Sequence, residues 1–345
     1  MKKSRILIIA PTLSEKGLGL FYKQAFQTLG YEVEMTGALQ LVQRTSRAGR
    51  GLNRLKTTSL LKKYTHKASF AALLKFARAF RPDIIVTIRC EMLNLETVQE
   101  LTRISGGRHF NIYPDSPIQI PGIRSALELD AIRGYSAVLT FSKSSIPIFY
   151  QLGAQQAYWL PFGYARGVHA PSSQTVQDLA VSYFGTWGPA PEYWLKKALE
   201  LDINVFGDGW ERLPLNSQVR AWWIKGLGTQ SSMSEMISKS RIIFNLIRPE
   251  HGCAHSMKTF EIPASGGFML TNWTEEQACF FTPDKEAVYF NCTEELVDKA
   301  RFFLSNESAR AKIAAAGHNA CLPHHYEDRA SRILTFADNG SWTDV

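Results

Sequence analysis

Short apolar runs of strand length alternate with helical stretches, and the alternation runs through the chain twice. Ile6–Ala10, Glu32–Thr36, Asp83–Ile88, Arg108–Tyr113, Ala137–Thr140 and Tyr158–Leu160 read as strands. Helices are expected near Phe21–Leu29, Ala68–Phe80, Leu95–Ile104 and Ser144–Leu152. Continuously apolar strands separated by helices predict a parallel sheet covered on both faces, the doubly wound arrangement. From Pro161 to Thr175 the chain is rich in Gly, Pro and Ser and lacks a periodic apolar face, which marks a connection. The pattern then restarts with strands at Leu179–Phe184, Ile203–Phe206, Ile242–Leu246, Phe268–Thr271 and Ala287–Phe290. Its helices are expected around Tyr193–Leu201, Met233–Ser240, Lys258–Ser265 and Thr293–Leu304. The expectation is an α/β protein of two Rossmann-like doubly wound domains facing a cleft. Residues 1–165 form the first domain, 166–178 the linker and 179–322 the second domain, and 323–345 form a C-terminal helix and tail packing back on the first. A length of 345 residues suits two domains, each with its own core.

Apolar residues at 45% and charged residues at 20% are ordinary for a globular chain. No apolar run approaches the roughly 18 to 20 residues of a membrane-spanning helix. The basic start Met1-Lys2-Lys3-Ser4-Arg5 is followed by an apolar stretch that ends at Pro11, so it reads as a first strand and not as a secretory leader. Five scattered cysteines without a C-x-x-C pair argue against a disulfide framework or zinc ribbon, and a cytoplasmic location is expected. The net charge of +8 is concentrated. Between Met35 and Pro82 there is no Asp or Glu, while Arg44, Arg47, Arg50, Arg54, Lys56, Lys62, Lys63, Lys67, Lys75, Arg78 and Arg81 all fall there. A solvated helical face and a surface for an anionic membrane or acceptor, centred on residues 44–63, both fit. No nucleic-acid signature accompanies the charge, so nucleic acid is not an expected partner.

The stretch Phe244–Thr271 is the most informative. A strand ends near Leu246, a polar loop follows, a helix begins about Ser256 or Met257, and another strand opens at Phe268. In an open α/β sheet such a loop lies at the carboxyl ends of the strands, where ligands bind. A helix start offers backbone N–H groups to a diphosphate, with Lys258 and Arg248 supplying formal charge. Glu261, one turn in, is placed to accept hydrogen bonds from both hydroxyls of a ribose. Taken singly, Glu261 also reads as a first-turn acid, Lys258 as a surface charge and Gly266-Gly267 as a helix stop. His251, Cys253 and His255 are of zinc-ligand type, but alternate residues in a five-residue loop rarely close a tetrahedron, so no metal is assigned. His255 reads instead as a donor to phosphate oxygens.

In sequence, Lys258-Thr-Phe-Glu261-Ile-Pro-Ala264-Ser-Gly266-Gly267 resembles the signature Arg-x-Phe-Glu-x-x-Ala-x-Gly-Gly of CgeB-like (spore maturation protein type) glycosyltransferases, relatives of glycosyltransferase family 4. The resemblance covers roughly Val181 to Leu334. Within it Tyr183-Phe-Gly-Thr-Trp-Gly-Pro189 is similar to the loop opening the family's donor domain, and Val205-Phe-Gly-Asp-Gly-Trp210 to its next strand end. His324-His325-Tyr326-Glu-Asp-Arg329 is similar to its closing run. The resemblance implies the GT-B architecture and a metal-independent transfer from a UDP- or GDP-linked sugar, with no other cofactor. The acceptor is a hydroxyl of a glycan, lipid-linked glycan or protein, in cell-surface polysaccharide synthesis. It places the donor against Gly185, Thr186, Ser256, Lys258, Thr259 and Glu261; Gly207, Trp210 and Arg248 complete the expected donor site, with His255 and Lys258 acting at the leaving diphosphate. Three positions depart from the family pattern: Lys258 stands for Arg, Pro191-Glu192 for a basic residue, and Cys253 for the first Glu of a Glu-x7-Glu pair.

On the acceptor side, Gly17 and Gly19 follow the first strand and allow close backbone approach. Asp115, after the fourth strand, is the candidate base, and also fits an Asx-type turn before Pro117. Two rival functions use the same architecture, a sugar-nucleotide 2-epimerase and a catalytically silent scaffold.

Overall fold

The computed structural model describes residues 4–11, 17–37, 59–89, 93–117, 126–172, 176–226 and 230–343, with side chains from residue 68 in the third stretch and from 232 in the last. Arg44, Arg47, Arg50, Arg54 and Lys56 lie outside the described residues. Lys62 and Lys63 fall on the helix Ser59–Phe80. The chain forms two compact units, residues 1–161 with 327–345, and residues 162–326. The change of unit falls between Pro161 and Phe162, and the stretch 166–178 lies within the second unit.

The first unit is built on a sheet of six parallel strands: β1 (Arg5–Ala10), β2 (Glu32–Gly37), β3 (Ile84–Ile88), β4 (His109–Tyr113), β5 (Ala137–Thr140) and β6 (Ala157–Trp159), in the order β2-β1-β3-β4-β5-β6. Ile6, Leu7, Ile8 and Ile9 are all fully buried, as expected of a central strand with helices on both faces. On one face Leu7, Ile9 and Ile85 pack with Leu73 and Ala77 of the helix Ser59–Phe80 and Val98 and Leu101 of the helix Leu95–Ile104. Asn94 starts the latter helix by accepting the Thr97 N–H at 3.0 Å. The helix Tyr326–Asn339 brings the chain end back to this unit. Its Phe336 ring packs on Phe110 and Tyr158, and its fully buried Arg329 donates to the Pro161 carbonyl at 3.2 Å.

The second unit repeats the plan with β7 (Leu179–Phe184), β8 (Ile203–Phe206), β9 (Trp223–Ile224), β10 (Ser240–Asn245), β11 (Met269–Asn272) and β12 (Val288–Phe290), all parallel, in the order β12-β11-β10-β7-β8-β9. The chain runs outward from β7 through β8 to β9, then returns to the other side of β7 and runs outward again through β10, β11 and β12. The order therefore reverses between β7 and β10. In doubly wound sheets a crevice opens at such a reversal, outside the carboxyl ends of the strands. Among the described residues no helix is long and apolar enough to cross a membrane.

Candidate functional site

A recess of about 200 Å³ lies at this reversal, lined by Tyr183, Gly185 and Thr186 from the end of β7 and by Asn245 to Arg248 from the end of β10, with His251, Ser256 and Lys258. Six of the expected donor contacts thus have a place to be compared with it. Gly185, Thr186, Arg248, Ser256 and Lys258 line the recess; Glu261 lies one turn further along the helix Lys258–Ala264.

The loop after β10 is positioned by a buried polar network. Asn245 donates through Nδ2 to Thr259 Oγ1 at 3.1 Å and to Gln277 Oε1 at 2.9 Å, while its Oδ1 accepts the Ser256 hydroxyl at 3.0 Å. Asn272, at the end of β11, grips the Ile247 backbone on both sides, accepting its N–H at 2.7 Å and donating to its carbonyl at 3.3 Å. These bonds tie β10, β11 and the start of the helix into one frame, and buried networks of this kind are rigid when every member is satisfied.

Positive charge in the recess comes from side chains. Arg248 Nη2 donates to the Thr186 carbonyl at 3.0 Å, so the guanidinium bridges the ends of the two central strands. Lys258 forms no hydrogen bond or ion pair among the described residues and lines the recess. The helix terminus contributes less than its position suggests. The helix has seven residues, and the N–H groups of Ser256, Thr259, Phe260 and Glu261 are satisfied locally by Thr259 Oγ1, the Ser256 carbonyl and the Met257 carbonyl. Tyr183 belongs to the lining as well, and its hydroxyl makes no hydrogen bond among the described residues. Burial pushes this phenol upward, against the pull of the Arg248 charge, so it remains a neutral donor at pH 7.

Glu261 is 1% exposed, and its Oε1 has no hydrogen-bond partner among the described residues. His169 Nε2 stands 3.7 Å from this oxygen. The His169 Nδ1 accepts the Ala165 N–H at 3.0 Å, which puts the ring proton on Nε2, facing the carboxylate. A buried carboxylate with an unsatisfied oxygen is costly unless a further donor reaches it.

Four of the expected donor-side residues lie outside the lining of the recess. His255 is fully buried: its Nε2 accepts the Phe162 N–H at 3.1 Å and its Nδ1 donates to Glu276 Oε2 at 2.9 Å, so both nitrogens serve the fold. Thr259 is fully buried within the Asn245 network. Trp210 is fully buried, its ring edge-on to Tyr183 and its Nε1 donating to the Gly185 carbonyl at 2.9 Å. Gly207 supports the same loop from below: with φ +130, a Cβ there would stand 2.3 Å from the Gly185 oxygen. These residues shape the recess without lining it. Tyr183, Asn245 and His169 are the contributors that periodicity conceals, because each reads as an ordinary strand or loop residue.

In the first unit Gly17 precedes the helix Leu18–Thr28 at φ +124, a conformation that favours glycine, and Gly19 lets that helix press on the sheet, since a Cβ there would be 3.2 Å from Ala10 Cβ. Gly19 is therefore a packing residue. Asp115 does not stand as an isolated base. Its Oδ2 accepts Arg89 Nη1 at 2.5 Å, and Arg89 Nε also donates to Glu128 Oε1 at 3.0 Å, which in turn accepts the Tyr113 hydroxyl at 2.7 Å. Among the described residues no group of three or more His, Cys, Asp or Glu is arranged to hold a metal ion, and His251, Cys253 and His255 do not converge.

A family model described as glycosyl transferase-like matches residues 191–335. No curated protein matches the chain in sequence. Solved structures match nearly its full length. Sucrose-phosphate synthase from Thermosynechococcus elongatus has a TM-score of 0.68 at 10% identity, covering 97% of this chain and 98% of that one. A glycosyltransferase from Rickettsia africae has a TM-score of 0.66 at 12% identity, with 98% of each chain covered. HepE from Anabaena, in complex with UDP and glucose, has a TM-score of 0.62 at 14% identity, covering 96% and 98%. The fold is that of the GT-B glycosyltransferases: two α/β units, each on a parallel six-stranded sheet.

Proposed function

We propose that the chain transfers a glycosyl unit from a nucleoside-diphosphate sugar to a hydroxyl acceptor. The observation that carries this reading is the convergence of Lys258 and Arg248 in a recess at the β7–β10 reversal, with the unsatisfied Glu261 carboxylate one turn away. HepE, which shares the fold, has been solved with UDP and with UDP-glucose, and this supports a nucleotide sugar as donor. A recess of about 200 Å³ is below the roughly 300 Å³ at which sites for whole small ligands begin, and it suits the diphosphate portion.

On this reading the diphosphate lies against Lys258, Arg248, Gly185, Thr186 and Ser256, and the ribose hydroxyls donate to Glu261. As the bond from the anomeric carbon to the diphosphate oxygen breaks, its electron pair leaves on the diphosphate. Lys258 and Arg248, already in place, meet that charge without reorganisation. The Tyr183 hydroxyl adds one neutral donor. The acceptor oxygen forms the new bond and passes its proton to the departing diphosphate oxygen, so the step does not call on Asp115, which is held by Arg89. Because side chains supply the positive charge, the transfer is proposed to be metal-independent. The acceptor is proposed to be a glycan, lipid-linked glycan or protein, reached at the inner face of a membrane through the basic residues 44–63.

The test is nucleotide release from a panel of UDP- and GDP-sugars, with and without EDTA. Acceptor-dependent release that survives EDTA and falls about a hundredfold in Lys258→Gln is expected, the scale of losing one preorganised contact to a developing negative charge. Absence of both release and nucleotide binding across the panel would sink the proposal, and turnover without acceptor or free nucleotide would favour epimerisation.

A further inference from the structure

The second unit has another concavity, at the amino ends of the same strands. Gln177 precedes β7, Arg241 is the second residue of β10, and Gly266 precedes β11; with Pro171 and the first turn of the helix Glu307–Cys321 they line a concavity of about 580 Å³. The volume is in the range of sites for small organic ligands, about 300–1,000 Å³. The β7–β10 recess lies at the carboxyl ends, so the two concavities sit at opposite ends of one sheet.

Two guanidinium groups share this cavity. Arg310 is only 5% exposed; its Nη1 donates to the Phe303 carbonyl at 2.7 Å and its Nη2 reaches Gln177 Oε1 at 3.4 Å. Arg241 is exposed, and its Nε donates to the Gln177 carbonyl at 3.3 Å. Neither forms an ion pair among the described residues, although Glu307 also lines the cavity. Burial pushes the Arg310 guanidinium below its ordinary value; Glu307 acts in the opposite direction and the Arg241 charge in the same one. The Phe303 carbonyl lies in the last turn of the helix Thr293–Ser305, so one donor of Arg310 caps that helix. That bond explains neither the second cation nor the absence of a carboxylate partner, and a buried charge normally has one. Arg310 stands in the first turn of a fifteen-residue helix whose N-cap, Asn306, makes no side-chain cap hydrogen bond.

We propose that this cavity is a second ligand site, taking a phosphorylated small molecule whose phosphate lies between Arg241 and Arg310. Planar guanidinium groups match phosphate oxygens pairwise, and the helix start adds positive partial charge. The site does not depend on the glycosyl-transfer reading, since no lining residue of one concavity belongs to the other.

Inorganic pyrophosphate titrated into the full chain by calorimetry tests it, using a Lys258→Gln/Arg248→Gln background to silence the β7–β10 recess. One binding event is expected to persist in that background and to weaken about tenfold on adding Arg241→Gln, the scale of one charge-assisted bond. Arg310→Lys, which keeps the charge and removes the fork, should weaken it as well and guards against a folding defect in a neutral variant. No binding in the background, or affinity indifferent to Arg241→Gln, overturns the proposal. Vesicles of phosphatidylcholine with and without phosphatidic acid identify the phosphate source: retention that Arg241→Gln abolishes assigns a lipid phosphate, and retention indifferent to it, alongside pyrophosphate binding that is sensitive to it, assigns a soluble one.

Discussion

A Cβ on Gly185 would stand 2.3 Å from the Tyr183 hydroxyl oxygen and 2.7 Å from its Cζ. Neither residue has room to retreat. The Gly185 N–H is held by the Phe206 carbonyl at 2.8 Å and its carbonyl by Trp210 Nε1 at 2.9 Å, while Tyr183 is wedged edge-on against Trp210. Gly185→Ala should therefore cost about 1–3 kcal/mol through overpacking and weaken nucleotide binding by displacing the loop. Tyr183→Phe removes a hydroxyl with no protein partner among the described residues, so alone it should be nearly neutral for stability. Combined with Gly185→Ala it should restore part of the loss. Urea unfolding of the two single variants and the double variant closes the cycle, and strictly additive costs would show that the clash is relieved elsewhere.

Glu261 sets affinity against stability. Glu261→Gln keeps the shape but removes a buried charge whose Oε1 is unsatisfied. The variant should bind UDP about tenfold more weakly, as expected for losing charge-assisted bonds of roughly 1.5–3 kcal/mol, while melting at the same or a higher temperature. If the carboxylate served mainly to hold His169, the reverse would be measured: a lower melting temperature with unchanged calorimetric affinity.

Much of this architecture is legible because parallel strands buried on both faces are almost wholly apolar, as in Ile6–Ala10 and, with Ser182 the exception, Leu179–Phe184. The two-residue strand Trp223–Ile224 has no periodicity to detect. The helix Glu307–Cys321 is rich in small residues and contains Gly317, where a Cβ would lie 2.3 Å from the Glu286 carbonyl oxygen. In the site, Lys258 and Arg248 were legible as charges in a loop between strands. For His255, local sequence shows that a histidine is near the loop but not that its ring bonds Glu276, twenty-one positions later. The burial of Trp210 and Thr259 is hidden for the same reason: side-chain direction depends on partners remote in sequence.

The acid-free segment yields a prediction about partners. Polybasic surfaces near anionic headgroups gain about 1 kcal/mol per well-placed Lys or Arg. The chain should sediment with anionic vesicles at low salt and be released at 1 M, where the screening length is about 3 Å. Replacing Arg44, Arg47, Arg50 and Arg54 by Gln should abolish the effect. Equal binding to neutral and anionic vesicles, or none to either, would leave a solvated face as the account of this segment.

The last prediction concerns pH and rests on His109, which is fully buried in β4. The Thr102 hydroxyl has backbone carbonyls of Val98 and Gly134 to donate to, at 2.9 and 3.0 Å, so it accepts from His109 Nδ1 at 3.0 Å. His109 Nε2 then accepts the Thr87 hydroxyl at 2.8 Å. The ring is thus neutral with both nitrogens satisfied and no acidic partner, and burial lowers its pKa from 6.5 to about 3. Between these values the unfolded chain takes up a proton that the folded unit refuses, so the stabilisation is complete above pH 6.5 and is lost as pH falls toward 3. At about 1.36 kcal/mol per pH unit, lowering the pH to 5 should cost about 2 kcal/mol through this residue alone. Urea unfolding at pH 7.5 and pH 5 should show a pH-dependent loss larger by that amount in the native chain than in His109→Gln, even though the variant is less stable at both. Equal losses in the two proteins would mean that the acid sensitivity of this unit arises from other groups.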